Sequence, residues 1–470
     1  MLQETFLGID HLDAWAHLNN VKFNGVKVSS TFTERGSVLI ATRQLSDENP
    51  ILLTVPRELV LSLENVWVYA KCDKHLTQVL EAVGDWAKVL RTADTWVTHN
   101  ATQGQIGVKN PFSQYVKYLP EEFSIPTFWN EDERALLEGT SLDAALNSKL
   151  QSLEREFEHL HDTTRAIPWC NRHWWDGEEG ELSLDNWKFV DAAYRSRALD
   201  LPGTGHATVP CIDMANHASG ENTVALYETD ADGNAILLLR DGRRISVGDE
   251  VSITYGDDKG ACEMLFSYGF IEDGTRSAKE LFLSLNAMND DPLGTAKKVA
   301  SKAPPGFRLY KRDTHIDWES DFVWLLCINE EDGLAIKVAQ SHDGERELQM
   351  SWKERSLVSS ASIREMLQVE PNWDVFQLRA IAILQARVEE QLRGLKDSEE
   401  RVQAIQQDGE IRAEREGYAI ELRDLEQSLL LEGYEAFEES KRVLLQSHVV
   451  QKYLGLGAQE EATGPEDDFA

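Results

Sequence analysis

Long apolar runs are missing from this sequence. No stretch approaches the roughly 18 to 20 residues that a membrane span needs, and Met1 to Asp10 offers neither a basic segment nor the apolar core of an export signal. Neither a membrane partner nor export is therefore expected. Cysteine is scarce and scattered: the five (Cys72, Cys170, Cys211, Cys262 and Cys327) are odd in number and never fall as Cys-x-x-Cys. That pattern argues against a disulfide framework and a thiolate metal site; no metal is expected. Buried, inert thiols in a reducing compartment fit it, the cytoplasm first and the nucleus second. Positive charge is also short, with 47 Lys and Arg against 81 Asp and Glu, a net charge of -34. A surface of that sign repels nucleic acid and anionic lipid and attracts a basic protein, although it also serves solubility alone. Internal repeats and low-complexity tracts are absent. Only the tail from Glu460 to Asp468 lacks any base, and it reads as disordered.

What is present, over 470 residues, is enough for two or three domains. Residues 1 to 20 read as a short helical lead-in, and VKFNGVKVSSTFTERGSVLIATRQL alternates as strands broken at Glu34-Arg35-Gly36. A helix from about Leu76 to Leu90 is expected, followed by a polar stretch over 91–110. Asn130, followed by three acidic residues, has the chemistry of a helix N-cap with charge complementing the helix dipole. Phe112, Tyr115 and Trp129 read as core aromatics. From Asp143 to about Leu199 helices are expected, and the C-terminal part repeats apolar residues at helical spacing over Trp373 to Gln406 and Ile411 to Ser447.

The most distinctive stretch runs from Val209 to Glu272. It reads as a turn carrying Asp213, Asn216 and His217, then strands around Asp-Gly turns at Asp232-Gly233 and Asp241-Gly242. A further strand delivers Tyr255 into Gly256, and Tyr268-Gly269-Phe270 comes after it. His217 alone is an ordinary core histidine and Tyr255 alone a strand aromatic; their joint occurrence is the signal. With Arg-Ser-Arg at Arg195 to Arg197 and Tyr-x-x-x-Leu-Pro from Tyr115, the pattern resembles the SET-domain protein methyltransferases, in the subgroup typified by the Rubisco large-subunit methyltransferase.

That resemblance implies an α+β chain: a SET-domain β-fold with a helical insert, then a C-terminal helical substrate-binding domain. The implied boundaries are 1–112 and 201–280 for the two parts of the SET domain, 113–200 for the insert, 281–455 for the helical domain and 456–470 for the tail. It implies S-adenosyl-L-methionine as cofactor, held by the turn Arg35, Gly36 and Ser37, by Glu64 and Ser113, by an arginine (Arg195 or Arg197) on its carboxylate, and by Asp213, Asn216, His217 and Tyr255. Ser196, Arg197, Asp213 and Tyr268 are implied at the substrate, with Tyr255 and Tyr268 as the catalytic pair. Without the resemblance, Arg35-Gly36 is an ordinary hairpin turn, Glu64 a solvated charge, and the arginines surface residues near a helix end. The sequence departs from the family pattern at Ala218, where serine is usual, and after Tyr255, where DDKGA replaces a basic residue and asparagine.

Methyl transfer from a sulfonium is an in-line displacement that needs alignment and exclusion of water. An acceptor lysine, with a reference pKa of about 10.4, must also lose its proton. The expected activity is transfer to a lysine of a basic, non-histone protein such as a ribosomal protein or translation factor, by a monomer without direct nucleic-acid contact. The two tyrosines suit a narrow aromatic channel around an alkyl stem. Histidine as acceptor on the same fold, or an inactive protein-binding module, are the alternatives.

Overall fold

A computed structural model describes residues 7–30, 36–46, 50–83, 111–176, 182–285, 291–301, 304–340, 346–357 and 363–456. Arg35, the side chain of Ser113, the end of the helix expected at 76–90, the polar stretch at 91–110 and the acidic tail lie outside the described residues. The chain forms two compact units. One comprises Met1–Trp129, Leu146–Lys259 and Leu265–Phe270; the other comprises Asn130–Ala145, Gly260–Met264 and Ile271–Ala470.

Among the described residues the first unit holds nine short strands: β1 (Lys22–Phe23), β2 (Val26–Ser30), β3 (Ser37–Ala41), β4 (Ile51–Val55), β5 (Leu61–Ser62), β6 (Ala198–Leu201), β7 (Gly205–Thr208), β8 (Ala225–Thr229) and β9 (Ala235–Leu239). They form a four-stranded sheet in the order β1-β4-β9-β8, the hairpin β2-β3 and a three-stranded sheet β5-β7-β6. All their pairings are antiparallel. The β8–β9 hairpin turns where expected. The Asp230 carboxylate accepts the backbone N–H groups of Asp232 and Asn234, both at 2.9 Å, so a side chain closes the turn that Gly233 bends. The expected strand before Tyr255 is not a regular one. Residues 243–255 carry isolated bridges only, because successive backbone groups go to different partners: Val251 N–H to Leu39, Ile253 N–H to Asn216. Leu12, Trp15, Leu39, Leu53, Val55, Val66, Ile212, Leu237, Val251 and Ile253 form the core beneath this segment.

Local chemistry sets the helices of this unit. Ser62 Oγ accepts the Asn65 N–H at the start of Leu63–Ala70, and Ser183 with Asn186 forms a capping box at the start of Leu184–Arg195. The helix Lys74–Val83 overlaps the start of the expected span and begins two residues before Leu76, while the rest of that span lies outside the described residues. With Leu153, Leu160, Cys170, Trp174 and Trp187 it builds a second cluster around Val79 and Val83. All five cysteines are free, and Cys72 departs from the buried reading by lying exposed in the turn after the helix Leu63–Ala70.

In the second unit Asn130 caps Glu131–Ala135 as expected, with Glu133 completing the box. Strands β10 (Glu280–Ser284), β11 (Gly306–Arg312) and β12 (His315–Glu319) form one sheet; β13 (Leu334–Gln340), β14 (Arg346–Trp352) and β15 (Arg355–Leu357) form another. The helix expected over 373–406 is divided into Trp373–Asp397 and Glu399–Asp408. At the break the Ser398 hydroxyl is engaged with the carbonyls of Glu138 and Leu395. Phe376, Ile381, Leu384, Val388, Leu422, Leu425 and Leu429 are buried as their spacing predicts, while Arg415, Arg423 and Glu426 are buried against it.

Candidate active site

The site is built on the turn between β7 and β8. Cys211 sits at φ 72°, a conformation costly for a residue with a Cβ, and is held there by one side chain. The Tyr115 hydroxyl accepts the Cys211 N–H at 2.9 Å and donates to Asp213 Oδ1 at 2.5 Å. Arg197 Nη1 donates to the Asp213 carbonyl at 2.9 Å and lies 3.5 Å from Asp213 Oδ2. The Asp213 side chain is fully covered. Burial pushes its carboxyl above the ordinary value while Arg197 pulls it back, and burial beside Asp213 pushes the Tyr115 phenol well up. Both groups thus brace the turn from beneath.

Above them the chain crosses itself. Ile253 N–H donates to the Asn216 carbonyl and Ala218 N–H to the Ile253 carbonyl, each at 2.9 Å, in a parallel bridge between His217 and Ile253. Tyr255 is locked onto this crossing at both ends. Its backbone N–H donates to His217 Nδ1 at 3.0 Å, which leaves the imidazole proton on Nε2, and its hydroxyl donates to the Ala215 carbonyl at 2.8 Å. Desolvation pushes the Tyr255 phenol far above its ordinary value although Arg197 opposes the shift. It is a neutral hydroxyl at any physiological pH and not a general base. Asn216 Nδ2 donates to Glu250 at 2.8 Å, which fixes the amide on the half-buried rim.

The rings form a stack. His217 lies 5.2 Å from Tyr255, Tyr255 4.6 Å from Tyr268, and the Lys259 ammonium 5.6 Å from the Tyr268 centroid. Phe270 closes the side at 6.1 Å from His217. Tyr268 is aimed by the next residue in the chain: Gly269 has φ +83°, and a Cβ there would stand 2.8 Å from the Ser124 carbonyl carbon. The stack corrects one expectation. An alkyl stem between two rings needs two van der Waals contacts, about 7 to 8 Å, so none passes between these tyrosines; an acceptor would approach their hydroxyl edges.

Of the residues singled out from sequence, Arg197, Asp213, Asn216, His217, Tyr255 and Tyr268 meet here. Arg195 spends its guanidinium nearby, on Asp191 at 3.1 Å, on the Phe266 carbonyl at 2.6 Å and over the Phe266 ring. It thereby braces the helix end that carries Tyr268. The Ser196 hydroxyl donates to Ala192 within its own helix. Gly36 and Ser37 lie at the start of β3, and Glu64 stands exposed in the first turn of Leu63–Ala70. Sequence reasoning missed Tyr115 as more than a core aromatic, and Glu250 and Lys259 altogether. For Tyr115 no local signal exists, since its partner is 98 residues away.

No family model matches the chain. Among curated proteins, SET domain-containing protein 8 of Schizosaccharomyces pombe is 26% identical over 339 residues, covering 71% of this chain and 75% of its own length. Actin-histidine N-methyltransferases of Xenopus tropicalis and Homo sapiens are 22% and 23% identical, covering 68% and 60% of this chain. The match spans about half of those two proteins, 53% and 45% of their lengths. Among solved structures, the SET domain of LSMT bound to lysine and AdoHcy aligns with a TM-score of 0.64 at 17% identity, covering 97% of this chain and 96% of that one. Rubisco LSMT bound to AdoMet aligns with a TM-score of 0.64 at 19% identity, covering 97% of each chain. At such identities the structural likeness shows the fold.

Proposed function

We propose that this chain, a SET-domain protein by fold and by its curated relatives, is an S-adenosylmethionine-dependent methyltransferase acting on a lysine of a basic protein. The observation that carries the reading is the locked crossing: Tyr255, held by His217 Nδ1 and the Ala215 carbonyl, with Tyr268 stacked on its ring. When bound, the cofactor supplies an electrophilic methyl on a sulfonium. The residues fit it by their chemistry. Asn216 and His217 lie half-buried at the crossing, with side-chain and backbone polar groups suited to a nucleoside and an ammonium. Arg197 is the cation beneath the turn, and Arg195 braces the helix end bearing Tyr268.

In this reading Tyr255 orients the acceptor nitrogen and excludes water, and its oxygen lone pair lies beside developing charge. As a phenol whose proton is held by burial it is no proton acceptor, so the acceptor's proton passes to solvent before transfer. Tyr268 offers a second hydroxyl from the far edge of the stack. A solved LSMT complex bound to lysine supports lysine as acceptor; likeness to the actin-histidine N-methyltransferases supports histidine as the second reading.

The test is tritium transfer from labelled S-adenosylmethionine into cell extract, then acid hydrolysis of the product. Methyl-lysines are expected. Methyl-histidine alone would replace the acceptor but keep the reaction, and no transfer together with no heat of cofactor binding would leave a protein-binding module.

A further inference from the structure

We propose that Glu250 is a positioning residue for the cofactor: by accepting the Asn216 amide it turns the amide oxygen toward the ammonium of the bound S-adenosyl donor. This rests on the reading of the Asn216–His217 crossing as the cofactor's seat, and it names the end of the cofactor that the crossing holds. Asn216 is gripped at two points. Its backbone carbonyl accepts the Ile253 N–H at 2.9 Å, and its side-chain Nδ2 donates to Glu250 Oε1 at 2.8 Å. A carboxylate has only acceptors, so the amide must face it with its NH2 group and turn its oxygen away. One acceptor, Asn216 Oδ1, is thereby presented on the half-buried rim in a single orientation.

Glu250 is itself held by its backbone neighbours, which pair with β3. Ala41 N–H donates to the Asp249 carbonyl at 2.9 Å, Val251 N–H donates to the Leu39 carbonyl at 2.8 Å, and Glu250 stands opposite Ile40 in an antiparallel bridge. Strand β3 begins at Ser37, so one residue ties the amide of the crossing to the strand that follows Gly36. The neighbouring acid does not compete for the amide, because Asp249 Oδ2 accepts the Ser246 N–H at 3.1 Å within its own loop. Glu250 also lies close enough to Tyr255 to act on its phenol, which places it on the site's side of the rim.

The chemistry of that oxygen selects one part of the cofactor. An ammonium carries donors and no acceptor, and its charge suits an amide oxygen backed by a carboxylate. The adenine amine stands beside a ring nitrogen that accepts, and the same pair of groups repels that lone pair. Glu250 is exposed, so its own attraction for a cation is screened by solvent. Its effect is preorganisation: an amide fixed before binding loses no rotamer freedom when the ligand arrives, a gain of about three- to tenfold in affinity.

The experiment is titration calorimetry with S-adenosylhomocysteine, which keeps the ammonium, beside its analogue with hydrogen in place of the ammonium, the analogue being read by competition. Glu250→Ala should weaken S-adenosylhomocysteine about three- to tenfold and the deaminated analogue less than about twofold. Glu250→Gln still offers an oxygen to Asn216 Nδ2 and should restore wild-type affinity within about twofold. In an Asn216→Ala background Glu250→Ala should change neither ligand, since the carboxylate then has no amide to hold. Equal losses for both ligands would overturn the proposal, as would Glu250→Gln binding no better than Glu250→Ala, or a loss that persists without the Asn216 amide. Should wild type bind neither S-adenosylmethionine nor S-adenosylhomocysteine, the underlying reading has failed and this inference falls with it; wild-type binding left unaltered by Glu250→Ala rejects Glu250 alone.

Discussion

Two hydroxyls decide the site, and they do different work. Tyr255 has a ring packed between His217 and Tyr268, so Tyr255→Phe keeps the stack and loses only the oxygen. Methyl transfer should fall at least tenfold, about 1.4 kcal/mol of barrier, with cofactor affinity little changed. Titration calorimetry beside initial rates checks this, and an unaltered rate in the folded variant would remove Tyr255 from the chemistry. Tyr115 is structural. Tyr115→Phe strips the partner from a buried Cys211 N–H and from Asp213 Oδ1 together, in a turn already at positive φ. A loss of about 1 to 3 kcal/mol in unfolding free energy is expected, read from chemical denaturation; a loss below about 0.5 kcal/mol would mean the turn holds itself. The contrast marks what was legible in the sequence. Asn216, His217, Tyr255 and Tyr268 stand in one motif-dense stretch, whereas Tyr115 and Glu250 acquire their roles through contacts that no local pattern encodes.

Elements were readable where their determinants are local. Asn130 caps its helix through Glu133, three residues on, and the apolar spacing of the C-terminal helices names the residues that are buried. The break at Ser398 was not readable, since the carbonyl engaging its hydroxyl belongs to Glu138, 260 residues away. The irregular segment before Tyr255 was missed for a similar reason, its hydrogen bonds going to several partners rather than to one strand. Glu426 shows the same limit inside a helix whose period was plain. Its carboxylate accepts Ser141 N–H at 2.7 Å and Ser141 Oγ–H at 2.6 Å, and burial raises it from 4.5 to about 7 despite those bonds. A carboxyl raised on folding binds its proton more tightly in the folded chain. Its contribution to stability is therefore greatest below about pH 4.5, declines as pH rises to about 7, and stays reduced above that. Glu426→Gln should accordingly raise stability at pH 8 by about 1 to 3 kcal/mol relative to its effect at pH 5. Denaturation at the two pH values checks it; equal effects would mean that Arg423, which pulls the carboxyl down, already keeps it ionised.

Over the whole molecule the acidic excess is the dominant physical property, and composition alone revealed it. Among the described residues no helix is long and apolar enough to cross a membrane. The ion pairs within the chain absorb part of the charge: Glu133 is neutralised by Arg415, Asp213 by Arg197, Asp191 by Lys149 and Arg195. The carboxylates of these pairs are buried, so they contribute little to the field outside. What remains exposed is a large surplus of carboxylates, because 81 acidic residues cannot be paired by 47 basic ones. Such a field raises the encounter rate with a basic protein and does little for the chemical step once the partner is seated. Surface charges are screened over about 8 Å at physiological ionic strength. For a basic protein substrate, kcat/KM should therefore fall several-fold between about 20 mM and 200 mM salt while kcat holds nearly constant, because steering acts on association. Flat kcat/KM across that range would mean that the substrate is not drawn in by charge, and that the acidity serves solubility alone.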